Sequence, residues 1–474
     1  MKYLPLILSL FIMISSCKTD QTKDKSSNIA YQESDTEVTG EAPYTEQAIW
    51  SNDAAIYEVN IRQFSEKGTF DAVTEQLERI KNLGIEIIWL MPVHPISVAK
   101  RKEKPEDLGS YYAVGDFRAV NSEYGNMEDM EELIARAHEL DLKVILDWVP
   151  NHTGWDHPWI TEHPDFYTQI DGEIVDPINP STGESWGWTD VADLNYDNAD
   201  MRQAMIADMK FWVQEKGIDG FRCDVAHGVP VDFWAEAIPE LRAVGGGQEL
   251  FMLAEAEVPK LAGLFNMSYA WGFHHMLHEV LRGEAPLTKI EEDITNFHQK
   301  FGPNHYGMMF TTNHDENSWS GTVFERYGDA HEAMAVLTFT IDGMPLIYSG
   351  QEAGMDKQLA FFTKDAIDWK NYSLQGFYAQ LLQLKKDNKA LWNGEFGGDL
   401  EVMQANEDSS IYTYRRKKDN NEVLVAINFS DKEAGFEWPF EKDGSWKLEM
   451  GEILPDDGST MLKSYGYAVW VKNE

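Results

Sequence analysis

The sequence has 474 residues, 43% of them hydrophobic and 12% aromatic, with 40 Lys and Arg against 80 Asp and Glu for a net charge of -40. That length exceeds one small domain and suits one large domain with a small companion. Such an acidic surface repels polyanions, so nucleic acid is excluded as a partner, and a neutral substrate suits it.

The chain opens MKYLPLILSLFIMISSC. Lys2 gives a positive start, and the apolar run from Leu4 to Ile14 is too short to span a bilayer. The Ile14-Ser15-Ser16-Cys17 ending resembles a bacterial lipoprotein signal. Residues 1–16 are then a signal peptide, and Cys17 is the lipidated first residue of a protein anchored in the cell envelope, facing the periplasm or the outer surface. Residues 17–45 are polar, with almost no apolar periodicity, and are expected to be a disordered tether. The other cysteine, Cys223, lies in an apolar strand, so no structural disulfide is expected.

Apolar strands then alternate with amphipathic helices. AIYEVN (Ala55–Asn60) is the first strand. Phe70, Val73, Leu77, Ile80 and Leu83 recur at helical spacing until Gly84 stops the helix. IEIIWLMP follows as the second strand. A helix through Met127 to Leu140 precedes VILDW (Val144–Trp148). Helices near Met201–Glu215 and Phe233–Val244 lead to GFRCD (Gly220–Asp224) and LFMLAE (Leu250–Glu255). Ser268–Phe273 is a weaker strand, and MMFTT (Met308–Thr312) and PLIYS (Pro345–Ser349) complete the set. About eight such units predict a parallel sheet closed into a (β/α)₈ barrel over residues 46–390. No GxGxxG or Walker loop follows any strand. The long connection at 153–200, rich in Trp, Pro, Gly and Asp, is expected to be a functional inserted subdomain. Residues 391–474 alternate as IYTYRR, EVLVAINFS, WKLEM and YAVWVK and predict a C-terminal antiparallel β-sandwich.

Active groups of such a barrel lie at the C-terminal strand ends. Here these ends carry Asp147, Asn151 and His152; Arg222 and Asp224; Glu255; and Asn313, His314 and Asp315. Glycosidic cleavage needs one ionised carboxylate near the anomeric carbon and one protonated carboxyl at the leaving oxygen. Arg222, two residues before Asp224, shares its face of the strand and is expected to hold Asp224 ionised. Glu255 lacks such a neighbour in sequence, which leaves burial free to raise its pKa. His274, His275 and His278 are close in sequence but lack the spacing of a metal site and are expected to be core or helix surface.

DWVPNH, GFRCD, the Glu of LAEAE, TTNHDEN and VADLN (Val191–Asn195) stand in the order of the conserved regions of the α-amylase family, glycoside hydrolase family 13, which this chain resembles from about Ile56 onward. IYEVNIRQF resembles that family's first strand and IYSGQEAGM its last. The resemblance implies Asp224 as nucleophile, Glu255 as acid/base and Asp315 as the third carboxylate, gripping sugar hydroxyls. It implies that Tyr112, His152, Arg222 and His314 hold the reacting sugar or the nucleophile. Asp147 resembles a structural acid below the site. Asn151 and Asp193 match positions that bind structural Ca²⁺ in many members; no catalytic cofactor is implied. The implied activity is retaining hydrolysis of α-glucosidic bonds in starch-like glucans or malto-oligosaccharides. A transglycosylase or isomerase of the same family, or an inactive sugar-binding member, is the alternative. Two details depart from the pattern: Ala254 precedes Glu255 where Gly is frequent, and His227-Gly228 stands where Lys-His is common.

Overall fold

In the computed structural model the described residues are 45–101, 107–179, 182–245, 249–405, 410–440, 444–454 and 460–473, all within one compact unit. Cys17 and the signal peptide lie outside them, as does the tether except Thr45. That residue is packed, not free: its hydroxyl is 3.2 Å from His305 Nδ1 and accepts from the Gly263 N–H.

Eight strands close into a parallel barrel in chain order. They are β1 (Ile56–Val59), β2 (Ile87–Leu90), β3 (Lys143–Trp148), β4 (Gly220–Cys223), β5 (Phe251–Ala254), β6 (Met267–Tyr269), β7 (Tyr306–Met309) and β8 (Met344–Tyr348), with β8 pairing back on β1. Nearly every residue of these strands is buried, as expected of a parallel sheet covered on both faces. Alternate side chains fill the barrel interior, where Ile56, Ile87, Trp89, Ile145, Phe251, Leu253, Met267, Tyr306, Met308, Met344 and Leu346 form one apolar cluster. The opposite set meets the surrounding helices.

Two predicted elements are corrected. The helix through Phe70 to Leu83 is split into Phe70–Thr74 and Leu77–Leu83, because Gln76 leaves the helical line; it still ends at Gly84, whose φ of 113° needs glycine. The weak strand Ser268–Phe273 shifts to Met267–Tyr269, and Trp271–Leu281 is a helix whose buried Phe273, Met276, Leu277 and Val280 recur at helical spacing.

Between β3 and β4 the insertion forms short pieces. Strands His152–Gly154 and Val191–Asp193 pair antiparallel, with His152 opposite Asp193. Gly154 is required there, since a Cβ would stand 2.1 Å from that of Ser97. The C-terminal domain is a five-stranded antiparallel sheet of β9 (Asp399–Gln404), β10 (Ile411–Lys418), β11 (Asn421–Asn428), β12 (Lys447–Gly451) and β13 (Tyr467–Asn473), in the order β9-β10-β11-β13-β12. Tyr412, Tyr414, Val423, Val425 and Val469 join the barrel's outer core, while Leu424, Ala426, Ala468 and Trp470 meet Phe436 and Leu462 of a two-stranded sheet on the other face. The period-two alternation in the sequence is this division between two faces.

Candidate active site

Parallel register places the polar strand ends side by side. Asp147 near the end of β3 is level with Arg222 of β4, and Arg222 with Leu253 of β5, two residues before Glu255. The Arg222 side chain is fully buried, and that is stable only because carboxylates surround it. Its Nη1 donates to Asp147 Oδ1 and Asp224 Oδ1, each at 2.9 Å. Its Nη2 lies 2.9 Å from Glu255 Oε1 as an ion pair off the line of a hydrogen bond. The Tyr269 hydroxyl is 3.3 Å from Nε. Arg222 meets Asp224 as expected, and it also supplies Glu255 with the cationic neighbour that its own stretch of sequence lacks.

The electrostatics follow from that sharing. Burial and the charge of Glu255 push Asp224 well above the usual carboxylate range, against the pull of Arg222. Burial also acts to raise Glu255, but Arg222 and the Val225 N–H outweigh it and hold the carboxyl below its usual range. The Val225 N–H donates to Glu255 Oε2 at 2.8 Å. Asp224 is thus pushed up and Glu255 held down, the reverse of the directions expected from sequence, because one guanidinium and one backbone N–H serve Glu255 as well. Two interacting carboxyls titrate as one pair, and the form with a single proton has one acid and one nucleophile.

A second circuit runs across the mouth. His314 Nδ1 is 2.5 Å from Glu58 Oε1 on β1, and its Nε2 is 2.7 Å from the Tyr112 hydroxyl and 3.3 Å from Asp315 Oδ2. Burial alone would lower the His314 pKa, but the charges of Asp315 and Glu58 outweigh it and push it up to about 9. At neutral pH both ring nitrogens then donate. The Tyr112 hydroxyl is free to donate to Asp147 Oδ2 at 3.2 Å, which also accepts from Trp89 Nε1 at 3.2 Å. Burial raises Asp147 to about 6 against the pull of Arg222, and burial raises Asp315 against that of His314. His152 is buried and its pKa falls to about 4 for that reason, so it is neutral; it bonds the Tyr112 backbone and has Trp188 5.8 Å away.

Asp224, Glu255, Asp315, Arg222, His314, Tyr112 and His152 are therefore brought to one mouth. The Asn151 and Asp193 side chains have separate hydrogen-bond partners on adjoining segments. The Asp193 carboxyl accepts from Thr168 and the Ile178 N–H and faces the like charge of Asp176, and burial pushes it up to about 7. Asn151 turns its Nδ2 to His152, 3.3 Å from Nδ1, and its Oδ1 to Gly228, 2.5 Å from where a Cβ would stand. The Asn151 side chain thus fills the space a side chain at 228 would need, which accounts for one departure from the family pattern. The two expected ligands share no partner, and among the described residues no group of three or more His, Cys, Asp and Glu is gathered to hold a metal. His274 and His278 lie by Arg326, which pairs with Glu316 at 2.6 Å, and so support the turn after Asp315.

Sequence reasoning missed Glu58 and the Val225 N–H. An acid inside the apolar run Ile56–Val59 was a signal for the first. The second depends on Val225 being held at φ 43°, a conformation that costs a β-branched residue energy and is typical of functional sites.

The α-amylase catalytic-domain family model matches residues 30–251 and 264–438. This chain belongs to the α-amylase family. It is 30% identical over 430 residues to the α-amylase MalA of Haloarcula japonica, covering 86% of this chain and 60% of that relative. It is 26% identical to α-amylase 3 of Dictyoglomus thermophilum, covering 87% and 93% of the two chains. The crystal structure of an α-amylase from Lactobacillus plantarum superposes with a TM-score of 0.75 at 27% identity, covering 88% of this chain and 98% of that one. The chain thus spans less than two thirds of the haloarchaeal relative. Membership of this family, with its barrel and C-terminal sheet, fits a glycosyl hydrolase acting on α-glucans.

Proposed function

We propose that the protein hydrolyses α-glucosidic bonds of starch-like glucans or malto-oligosaccharides with retention of configuration, from a site displayed on the cell envelope by a lipid at Cys17. The observation that carries the chemistry is the Arg222 guanidinium shared by Asp224 and Glu255. Two carboxyls on one guanidinium are close together, as a nucleophile and an acid/base flanking one bond must be.

Asp224 attacks the anomeric carbon from below as the bond to the leaving oxygen breaks. Arg222 holds it ionised for this step once Glu255 takes the single proton of the pair. Glu255 gives that proton to the leaving oxygen. It then takes a proton from water, whose oxygen attacks the same carbon and releases Asp224 from its ester. The positive His314 and Asp315 grip the sugar hydroxyls, and the Tyr112 ring stacks on its apolar face. His152, neutral and beside the Tyr112 backbone, offers a further hydrogen bond. No step of the reaction is assigned to calcium, whose expected role at Asn151 and Asp193 is structural.

The test is turnover by Asp224→Asn and Glu255→Gln on maltotriose and on α-glucosyl fluoride. Both variants lose roughly a thousand-fold or more on maltotriose, the scale on which groups acting as a unit fail together. Glu255→Gln recovers on the fluoride, whose leaving group needs little acid help; Asp224→Asn does not. Recovery of Asp224→Asn instead would reverse the roles, and a wild type inert on starch, pullulan, cyclodextrin and maltotriose would remove the substrate class.

A further inference from the structure

Trp319 is the one aromatic among the large exposed hydrophobic side chains of the described residues, 36% accessible. It lies in the Glu316–Ser320 turn directly after Asp315. Its ring is 5.2 Å from that of Phe361 and 6.0 Å from that of Phe362. Phe361 in turn lies 6.4 Å from Tyr112 with the planes 15° apart. A row of aromatic rings therefore leads from Tyr112 through Phe361 to Trp319 at the surface.

The face is rigidly built. Gln63 Nε2 donates to the Ala360 and Thr363 carbonyls, both at 2.7 Å, and Arg62 Nη1 to that of Phe361 at 3.3 Å. The Phe362 carbonyl accepts from the Leu108 N–H at 2.9 Å. Asn317 ties the turn to the loop in both directions, donating to the Lys357 carbonyl at 3.1 Å and accepting from the Leu359 N–H at 2.9 Å. Exposed apolar area held this firmly costs solvation in the free protein and is returned when a flat apolar ligand covers it. The apolar C–H face of a pyranose is such a ligand.

Topology settles on which side of the scissile bond it lies. Trp319 and Phe361 stand on the loops after β7 and β8, next to the Tyr112 side of the barrel. Asp224, Val225 and Glu255 stand across the mouth, after β4 and β5. The leaving group must sit by Glu255, which protonates it. The aromatic face is on the far side, toward the part of the substrate that becomes attached to Asp224.

Resting on the α-glucan reading above, we infer that Trp319, supported by Phe361 and Phe362, binds the glucose ring next to the reacting one on its non-reducing side, so that the enzyme prefers substrates with two or more sugars on that side. Trp319→Ala is compared with wild type on 4-nitrophenyl α-maltoside and 4-nitrophenyl α-glucoside, which share a leaving group and differ by that ring, with released nitrophenol as the readout. Wild type prefers the maltoside. The variant loses roughly ten-fold in kcat/KM on the maltoside, mainly through KM, the loss that removal of about 1.4 kcal/mol of binding produces. It changes by less than about two-fold on the glucoside, and Trp319→Phe restores most of the preference. An equal loss on both substrates, or none on the maltoside, overturns the inference alone. A wild type that cleaves neither aryl glycoside nor maltotriose overturns the α-glucan reading and the inference with it.

Discussion

Asp224 sits in a place chosen for chemistry at the expense of stability. Burial and Glu255 raise its pKa in the fold, and a carboxyl whose pKa rises on folding weakens the fold as it ionises. The penalty is absent below the unfolded pKa near 4 and grows as pH rises toward the folded value. Asp224→Asn is therefore expected to melt at the same temperature as wild type near pH 4 and several degrees higher at pH 8, while losing activity. Thermal melts across that range check it; a lower melting temperature at pH 8 would mean that the ion pair with Arg222 outweighs burial. At this scale the sequence was legible where chemistry concentrates at strand ends. Asp224, Glu255 and Asp315 are recognisable from spacing and motif. What was not legible is the third dimension of one side chain. Arg222 reaches Glu255 as well as Asp224, and strand alternation cannot report a contact between neighbouring strands before their register is known. The same limit hid Glu58, a single acid in an apolar strand whose partner His314 is 256 positions away.

Strands carry these side chains, so the site is as exact as their pairing. Gly220 opens β4, and a Cβ there would stand 1.9 Å from the Phe251 carbonyl oxygen of β5. Gly220→Ala must separate the two strands that position Arg222 and Glu255. It is expected to lower stability by about 1–3 kcal/mol, the usual cost of overpacking, and to lower activity further than stability explains. Denaturant unfolding beside kcat on maltotriose reads both; full activity would show that the register is not what aligns the pair. In the insertion, Asp193 is raised to about 7 by burial, so its ionisation weakens the fold progressively from the unfolded pKa near 4 up to about pH 7. Asp193→Asn is expected to raise the melting temperature at pH 8 and not at pH 4, with chelator changing neither protein. A chelator-sensitive melt lost in the variant would establish a calcium ion at Asp193. Element types were readable because strand and helix periods differ, and boundaries were less so. Ser268–Phe273 read as one strand because its apolar residues suit either period, and only the buried face of Trp271–Leu281 separates them. The Phe361 face was not legible at all, since its loop meets Tyr112 only in the folded barrel, about 250 positions away and without a local motif.

At the scale of the molecule, the body is strongly acidic, and the anchor proposed for it is a lipid at Cys17. No helix among the described residues is long and apolar enough to cross a membrane. Cys17→Ala is expected to move the protein from the membrane to the soluble fraction with unchanged turnover of maltotriose; full retention in the membrane fraction would remove the anchor. The barrel was legible as a whole because eight apolar strands recur between amphipathic helices. The two faces of the C-terminal sheet were marked by alternation, but not the fact that one of them covers the barrel.

In the proposed reaction Asp224 forms a covalent bond to the anomeric carbon while Glu255 serves the leaving oxygen. The anomer first released reports this directly, because two displacements at one carbon restore its configuration and one inverts it. Proton NMR of maltotriose or a longer malto-oligosaccharide, followed from mixing and before mutarotation, is expected to show the α-anomer of the new reducing end appearing first. The β-anomer appearing first would contradict the double displacement and with it the role of Asp224.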